Sequence, residues 1–314
     1  MRNPILIFIL FVLALSSCQQ KASERIEEKS LLDSTFTTPL GKVYEIPEPS
    51  DKLLDQYEEA KAAYSSNPED VEALIWYGRR TAYLGQYREA ITIYSEGIDK
   101  FPNEPKLYRH RGHRYISLRE YDLAIADLEK AAQLIQGTEN EIEPDGMPNA
   151  LNIPVSSLHG NIYYHLGLAY YLKHDFEKAY TAYLKCRESG NHYDNIVSST
   201  HWLYMIQQRL GNPGKADSLL APIFADSTVI ENQSYADLCL LYKDLLPIDS
   251  LIQQGPGGNP SNDAVRYGVA NWYLYHGDSI KSKQMMGELL ETKSFSSFGY
   301  LAAEQDWILL FQSK

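Results

Sequence analysis

The sequence predicts an all-α fold of stacked antiparallel helix pairs, and three observations carry that reading. Apolar residues recur at helical spacing, first as Leu74, Tyr77 and Thr81, then as Tyr87, Ala90, Ile91, Tyr94 and Ile98. Each set falls on one face of a helix. Helix-breaking residues sit between these segments, at Pro68, Gly85 and Pro102. The punctuation also repeats at a fixed interval, since Pro102 lies 34 residues after Pro68 and Ala124 lies 34 after Ala90. A recurrence of this length marks one supersecondary unit that buries its apolar face by stacking on its neighbours.

The most regular unit is 71–104. Its first helix carries Gly78, a residue costing about 1 kcal/mol against Ala in a helix interior, so the glycine is expected where a second helix approaches closely. Gly85 can take positive φ and close the first helix. Ala90 is again small at the expected crossing, and Pro102 ends the second helix. Leu74, Tyr77, Gly78, Gly85, Tyr87, Ala90, Tyr94 and Pro102 together resemble the tetratricopeptide repeat, a helix–turn–helix unit of 34 residues. Gly97 stands where that family usually has alanine. The resemblance implies a right-handed superhelical solenoid whose first helices line a concave groove, and a protein or peptide partner held in it.

In chain order, Arg2 and an apolar run over 5–15 precede Leu15, Ser16, Ser17 and Cys18. The run is shorter than the roughly 20 residues of a membrane span and fits a secretory signal over 1–17. Leu-Ser-Ser-Cys resembles a bacterial lipobox, which implies lipidation of Cys18. Lipid chains contribute about 0.8 kcal/mol per buried CH₂, so the implied address is the cell envelope, membrane-anchored. Gln19, not Asp, follows and favours the outer membrane.

Residues 18–50 are polar and read as a tether, although Lys42, Val43, Tyr44, Glu45 and Ile46 form a strand-like piece that could dock on the domain. Ser50 or Asp51 can cap a helix carrying Leu53, Leu54, Tyr57, Ala60 and Tyr64. Helical repeats are expected over 51–230. Full copies fall at about 71–104, 105–138 and 160–193, and a weak copy at about 197–230. The third copy's Ala179 follows Ala124 by 55 residues, which places an insertion at about 139–159. Residues 231–314 read as degenerate repeats, a Gly-Pro loop at 255–260 and a C-terminal capping helix from Phe298.

A formal net charge of −12 argues against nucleic acid, whose binding depends on phosphate neutralisation. The 24 tyrosines fall largely on repeat positions that pack helix on helix. Cys186 and Cys239 read either as a disulfide, which an exported protein allows, or as two buried thiols. No nucleophile elbow, His-Glu-x-x-His or phosphate-binding glycine loop is present, and no cofactor motif is found, so the chain does not read as an enzyme. His110 and His113 would need further ligands to hold a metal. Glu141, Glu143, Asp145 and Gly146 resemble the start of a calcium loop but lack its bidentate Glu, since Asn152 stands there. No metal site is expected.

The groove candidates lie on the first helices: Arg79, then Arg109 and His113, then Tyr164 and Tyr171, then His201, with Tyr267 and Asn271 beyond. Lys106, Arg109, His110, Arg111, His113 and Arg114 make one helix strongly basic, able to hold a carboxylate or an acidic peptide, or else paired with acids on neighbouring helices. Some members of the resembled family clamp a peptide C-terminus with basic and amide residues. Ile75 and Leu168 depart from that clamp, so only groove binding in general is implied. The alternative is a small-molecule or glycan binder of a nutrient-uptake system, with a pocket at Trp202, Tyr204 and Trp272.

Overall fold

The computed structural model describes residues 34–190, 192–252 and 260–312. The apolar run, Cys18 and residues 255–259 of the expected loop lie outside them. The fold is an all-α solenoid preceded by a small hairpin. β1 (Thr35–Thr37) pairs antiparallel with β2 (Val43–Glu45), Phe36 opposite Tyr44. Then come α1 (Asp51–Ser66), α2 (Val71–Tyr83), α3 (Tyr87–Lys100), α4 (Pro105–Ser117), α5 (Tyr121–Leu134), α6 (Leu158–Leu172) and α7 (Phe176–Glu188). They are followed by α8 (Tyr193–Arg209), α9 (Pro213–Leu219), α10 (Gln233–Tyr242), α11 (Ile248–Ile252), α12 (Pro260–Tyr275), α13 (Ser279–Leu290) and α14 (Phe298–Asp306). The last runs into a π-helical stretch, Trp307–Gln312.

Local chemistry sets the helix starts. Ser50 caps α1, as one of the two expected residues, by accepting from Leu53 N–H; Asp70 accepts from Glu72 and Ala73, and Ser157 from Gly160. Each side chain satisfies a donor the helix itself cannot. Consecutive helices from α1 to α9 pack on one another, as do α12, α13 and α14, and along the first helices α2 touches α4, α4 touches α6, α6 touches α8 and α8 touches α12. They form the inner row.

The close approach expected at Gly78 is present. A Cβ there would lie 2.5 Å from the Tyr94 ring, and one at Gly167, two pairs later, 2.6 Å from the Tyr183 ring. Tyr94, Tyr171, Tyr183, Tyr267 and Tyr300 are among the largest fully buried side chains, so the core uses many of the tyrosines. Cys186 and Cys239 are free and buried, and burial pushes the Cys186 thiol up to about 12.

The turns inside the helix pairs share a left-handed residue. It is Gly85 in the first pair, Arg119 (φ 66°) in the second, His174 (φ 59°) in the third, Gly211 in the fourth and Gly277 in the last. Arg119 and His174 adopt it without glycine's freedom, at a cost of about 1–2 kcal/mol each. Both side chains reach α14. Arg119 Nε lies 2.9 Å from Glu304 Oε2 and His174 Nε2 lies 2.9 Å from Asp306 Oδ1, while Arg209 holds Asp306 with both terminal nitrogens at 2.9 Å.

The strand-like piece docks far along the chain. Lys42 Nζ donates to Leu290 O at 2.9 Å, and Tyr44 OH lies 2.8 Å from Tyr300 OH. Phe36 and Tyr44 both stack on Phe295. At the other end of the row, Ile46 Cγ2 would lie 2.6 Å from a Cβ on Gly85. The described part of the expected tether is therefore a clasp between the first pair and the last.

Candidate functional site

The inner row is not an open groove along its length, because the chain's own later parts lie against it. α14 contacts α6 and α12. Phe298, at its start, meets His113, Tyr164 and His165 with ring centroids 5.6, 6.1 and 5.7 Å apart. Tyr171 is 1% exposed and its hydroxyl bonds Tyr267 OH at 2.7 Å; Tyr267 in turn donates to Asp306. His201 is 1% exposed, stacked on Tyr235 and within 3.1 Å of Tyr242 OH. Asn271 is fully buried and its side chain donates to Tyr267 O. Tyr171, His201, Tyr267 and Asn271 thus serve the core, packed by α10, α12 and α14.

Of the other candidates, Arg79 and Arg109 come together, while Tyr164 lines a neighbouring cavity and His113 packs on His165 and Phe298. Residues 139–157 leave α5, run out and return to α6. The outgoing and returning limbs meet where Glu143 N–H donates to Ser156 O at 2.9 Å and Leu158 N–H to Glu141 O at 2.9 Å. This excursion lays its acidic limb on the basic helix α4. Glu143 is 4% exposed; its Oε2 lies 3.3 Å from Arg109 Nε and accepts from Asn161 Nδ2 at 2.7 Å, and its Oε1 lies 3.1 Å from His110 Nε2. Lys106 bridges Glu72 at 2.7 Å and Glu141 at 3.0 Å.

Arginines hold the backbone that follows. Arg79 Nη2 donates to Pro144 O at 2.8 Å while its guanidinium lies 4.2 Å from the centre of the Trp76 ring, and Arg80 Nη1 donates to Gly146 O at 3.0 Å. The carboxylate and acidic segment for which α4 is suited are, in this fold, its own residues 141–146. Two of the alternate acids that resembled a calcium loop, Glu141 and Glu143, are used as anions against lysine and arginine.

Charge states follow from this packing. Burial alone would raise Glu143, but Arg109 and then His110 and Asn161 hold it well below the usual carboxylate range. Burial, then Arg109, pushes His110 down to about 3, so it is neutral. His110 Nδ1 lies 2.7 Å from Arg109 Nη1 and must accept, because a guanidinium only donates. That leaves His110 Nε2–H to face Glu143. His113 is also pushed well below its ordinary value, by burial first and then Arg114.

Two cavities flank the acidic limb. One, of about 660 Å³, is lined by Arg79, Arg109, Glu143, Asp145, Met147 and Ile230 among others. The second, of about 450 Å³, lies toward α6, α8 and α10 and includes Asn161, Tyr164, His165, Tyr235 and Phe298. Trp202 and Tyr204, expected to line a ligand pocket with Trp272, are 1% and 4% exposed instead. Trp202 stacks on Tyr183 at 5.7 Å, Tyr204 on Tyr242 at 4.1 Å and Trp272 on His276 at 3.9 Å.

Asn161, Tyr235 and Phe298 are not singled out as site residues by the sequence, and Glu143 enters there only through the calcium-loop resemblance. The usable signal was the pairing of a basic helix with an acidic insertion of one and the same chain.

Two segments, 105–137 and 160–188, match the tetratricopeptide repeat family model. No curated protein matches the sequence. Among solved structures, the chain is similar to a tetratricopeptide repeat protein from Parabacteroides merdae, at 14% identity over 80% of this chain and 92% of that one, with a TM-score of 0.46. It is also similar to BtubC from P. vanneervenii (16% identity, 76% and 87% covered, TM-score 0.44). A third likeness is to YrrB, a tetratricopeptide repeat protein with an unusual peptide-binding site (16%, 78% and 96%, 0.43). At these identities and scores nothing that those proteins bind is carried to this chain.

Proposed function

We propose that this chain is an envelope-anchored interaction scaffold, without catalytic function, that takes an extended acidic segment of a partner protein on the face formed by α2 and α4. The observation that carries the reading is the seating of residues 141–146. Glu143 is buried against Arg109 and His110, and the carbonyls after it are held by Arg79 and Arg80. Side chains at that face recognise a carboxylate together with extended backbone, the combination a partner segment would offer. The chain's own limb fills the face until a partner replaces it. Its outer side is apolar, with Ile142, Met147, Leu151 and Ile153 exposed, a surface suited to protein contact. The lipobox-like Leu15–Cys18 sequence supports membrane anchoring through Cys18.

A labelled peptide with the sequence of residues 139–148 tests the reading. It is expected to bind a variant whose residues 140–156 are replaced by a short Gly-Ser linker, and to bind the unaltered chain far more weakly. A tethered segment competes at an effective concentration in the millimolar range. Arg109→Glu in the linker variant should abolish binding. Failure of the peptide to bind a folded linker variant would overturn the proposal. Anchoring is tested separately, by fractionation of Cys18→Ala, which should leave the membrane.

A further inference from the structure

Residues 141–146 seat on α2 and α4 in a single register, and two of their positions leave no choice of side chain. The first is Glu143. Its Oε2 lies 3.3 Å from Arg109 Nε and 2.7 Å from Asn161 Nδ2, and its Oε1 lies 3.1 Å from His110 Nε2. Arg109 Nε and Asn161 Nδ2 carry hydrogens, and so does His110 Nε2, because His110 Nδ1 accepts from Arg109. The group between these three nitrogens must therefore offer acceptors on both arms. A carboxylate does so, whereas a glutamine amide would turn its own hydrogens toward a donor. Aspartate is shorter by one C–C bond, about 1.5 Å, and would leave part of this buried set unpaired, which is costly.

The second position is Gly146, buried three residues further on. A Cβ there would lie 1.8 Å from the Tyr83 hydroxyl oxygen and 2.6 Å from Tyr83 Cζ. Its φ lies outside the left-handed region, so the backbone by itself would admit alanine. The Tyr83 ring excludes it. Behind that ring stands Arg80, its guanidinium 5.7 Å from the ring centre, with Nη1 donating to Gln56 Oε1 at 3.1 Å and to Gly146 O at 3.0 Å. Swinging the ring aside would disturb the bond that seats Gly146.

Between the two positions the face holds backbone, since Arg79 Nη2 donates to Pro144 O at 2.8 Å. Pro144 and Asp145 border the 660 Å³ cavity, so other side chains have room there. Ile142 and Met147, on either side, are exposed.

We infer that the face of α2 and α4 is specific for segments carrying Glu-x-x-Gly, with Arg109, His110 and Asn161 selecting the glutamate and Tyr83 selecting the glycine. This rests on the partner-segment reading and adds the sequence that a partner must carry.

Fluorescence anisotropy with the linker variant provides the test. The probes are the labelled peptide of residues 139–148 and its Glu143→Gln, Glu143→Asp and Gly146→Ala forms. Each substitution is expected to weaken binding by about tenfold or more. Tyr83→Ala in the linker variant should then take the Gly146→Ala peptide about as well as the natural one. If the natural peptide fails to bind a folded linker variant, the partner-segment reading is overturned and this inference falls with it. If the natural peptide binds and the Gly146→Ala or Glu143→Gln form binds equally, this inference alone is overturned.

The full chain offers a second measurement that needs neither peptide nor linker, and it decides where the linker variant does not fold. Gly146→Ala should unseat the limb and speed cleavage after Glu141 by a glutamate-specific protease about tenfold. Adding Tyr83→Ala should slow that cleavage again. Cleavage of Gly146→Ala at the rate of the unaltered chain would show that Tyr83 does not select glycine, and the inference would be overturned.

Discussion

Replacing Glu143 by alanine would leave the Arg109 guanidinium, itself only 9% exposed, without the carboxylate that neutralises it. Removing one member of a buried pair leaves a desolvated charge, at a cost of about 3 kcal/mol. Glu143→Ala is therefore expected to lower the free energy of unfolding by about that amount in urea titrations. A change below about 1 kcal/mol would mean that water reaches Arg109 freely. At this scale the sequence was legible as chemistry and illegible as geometry. Arg79, Arg109 and His113 were placed on the inner row by helical spacing, and the acids of 141–145 were visible. Spacing along a helix cannot say which distant segment returns to it, so the pairing of Glu143 with Arg109 was out of reach. Tyr171 and His201 show the same limit. The helix wheel assigns them to the inner face, but whether that face meets solvent or α10, α12 and α14 depends on contacts 34 to 96 residues away.

Among the elements, the helix pairs were the most readable part because each is specified locally, by a cap, an apolar stripe and a breaker. Their turns hold what local rules miss. A left-handed residue is needed in each, and the second and third pairs meet the need with Arg119 and His174 where glycine would be free of strain. What offsets the strain lies across the fold, since Arg119 donates to Glu304 and His174 Nε2 lies 2.9 Å from Asp306, both acids on α14 at 0% exposure. Arg119→Gly would relieve about 1 kcal/mol of backbone strain and strand Glu304 in the core, at a cost of about 3 kcal/mol. A net destabilisation of about 2 kcal/mol is expected in urea unfolding. Stabilisation by Arg119→Gly would show that α14 is held by its apolar contacts alone. From the sequence α14 was read as a C-terminal cap, and nothing in its own stripe disclosed that its acids serve the turns of three earlier pairs.

For the whole molecule, buried neutral histidines set the response to acid. Burial is the largest cause in each case. It pushes His110, His165 and His201 to about 3, and His113 well below its ordinary value. These groups take up a proton on unfolding but not in the fold, so their contribution is complete above the ordinary value near 6.5 and is lost as pH falls below it. Glu143, held low in the fold, adds a loss in the same direction below about 4.5. Between pH 7 and pH 5.5 each histidine should cost about 1 kcal/mol, several in all. The urea midpoint is expected to fall steeply over that interval. Equal midpoints at the two pH values would mean that the imidazoles are protonated in the fold.

The clasp made by β1 and β2 bears on how the chain comes apart. Repeat arrays ordinarily fray from their ends, because each unit touches only its neighbours. Here Tyr44 reaches across 246 and 256 residues to Leu290 and Tyr300, and Ile46 rests against the first turn. Neither terminal unit can peel away without breaking a contact to the opposite one. Such distant closures form late, after the loop entropy they require has been overcome. The solenoid should therefore assemble in two stages, a fast local stacking and a slow latching, and then melt in a single step.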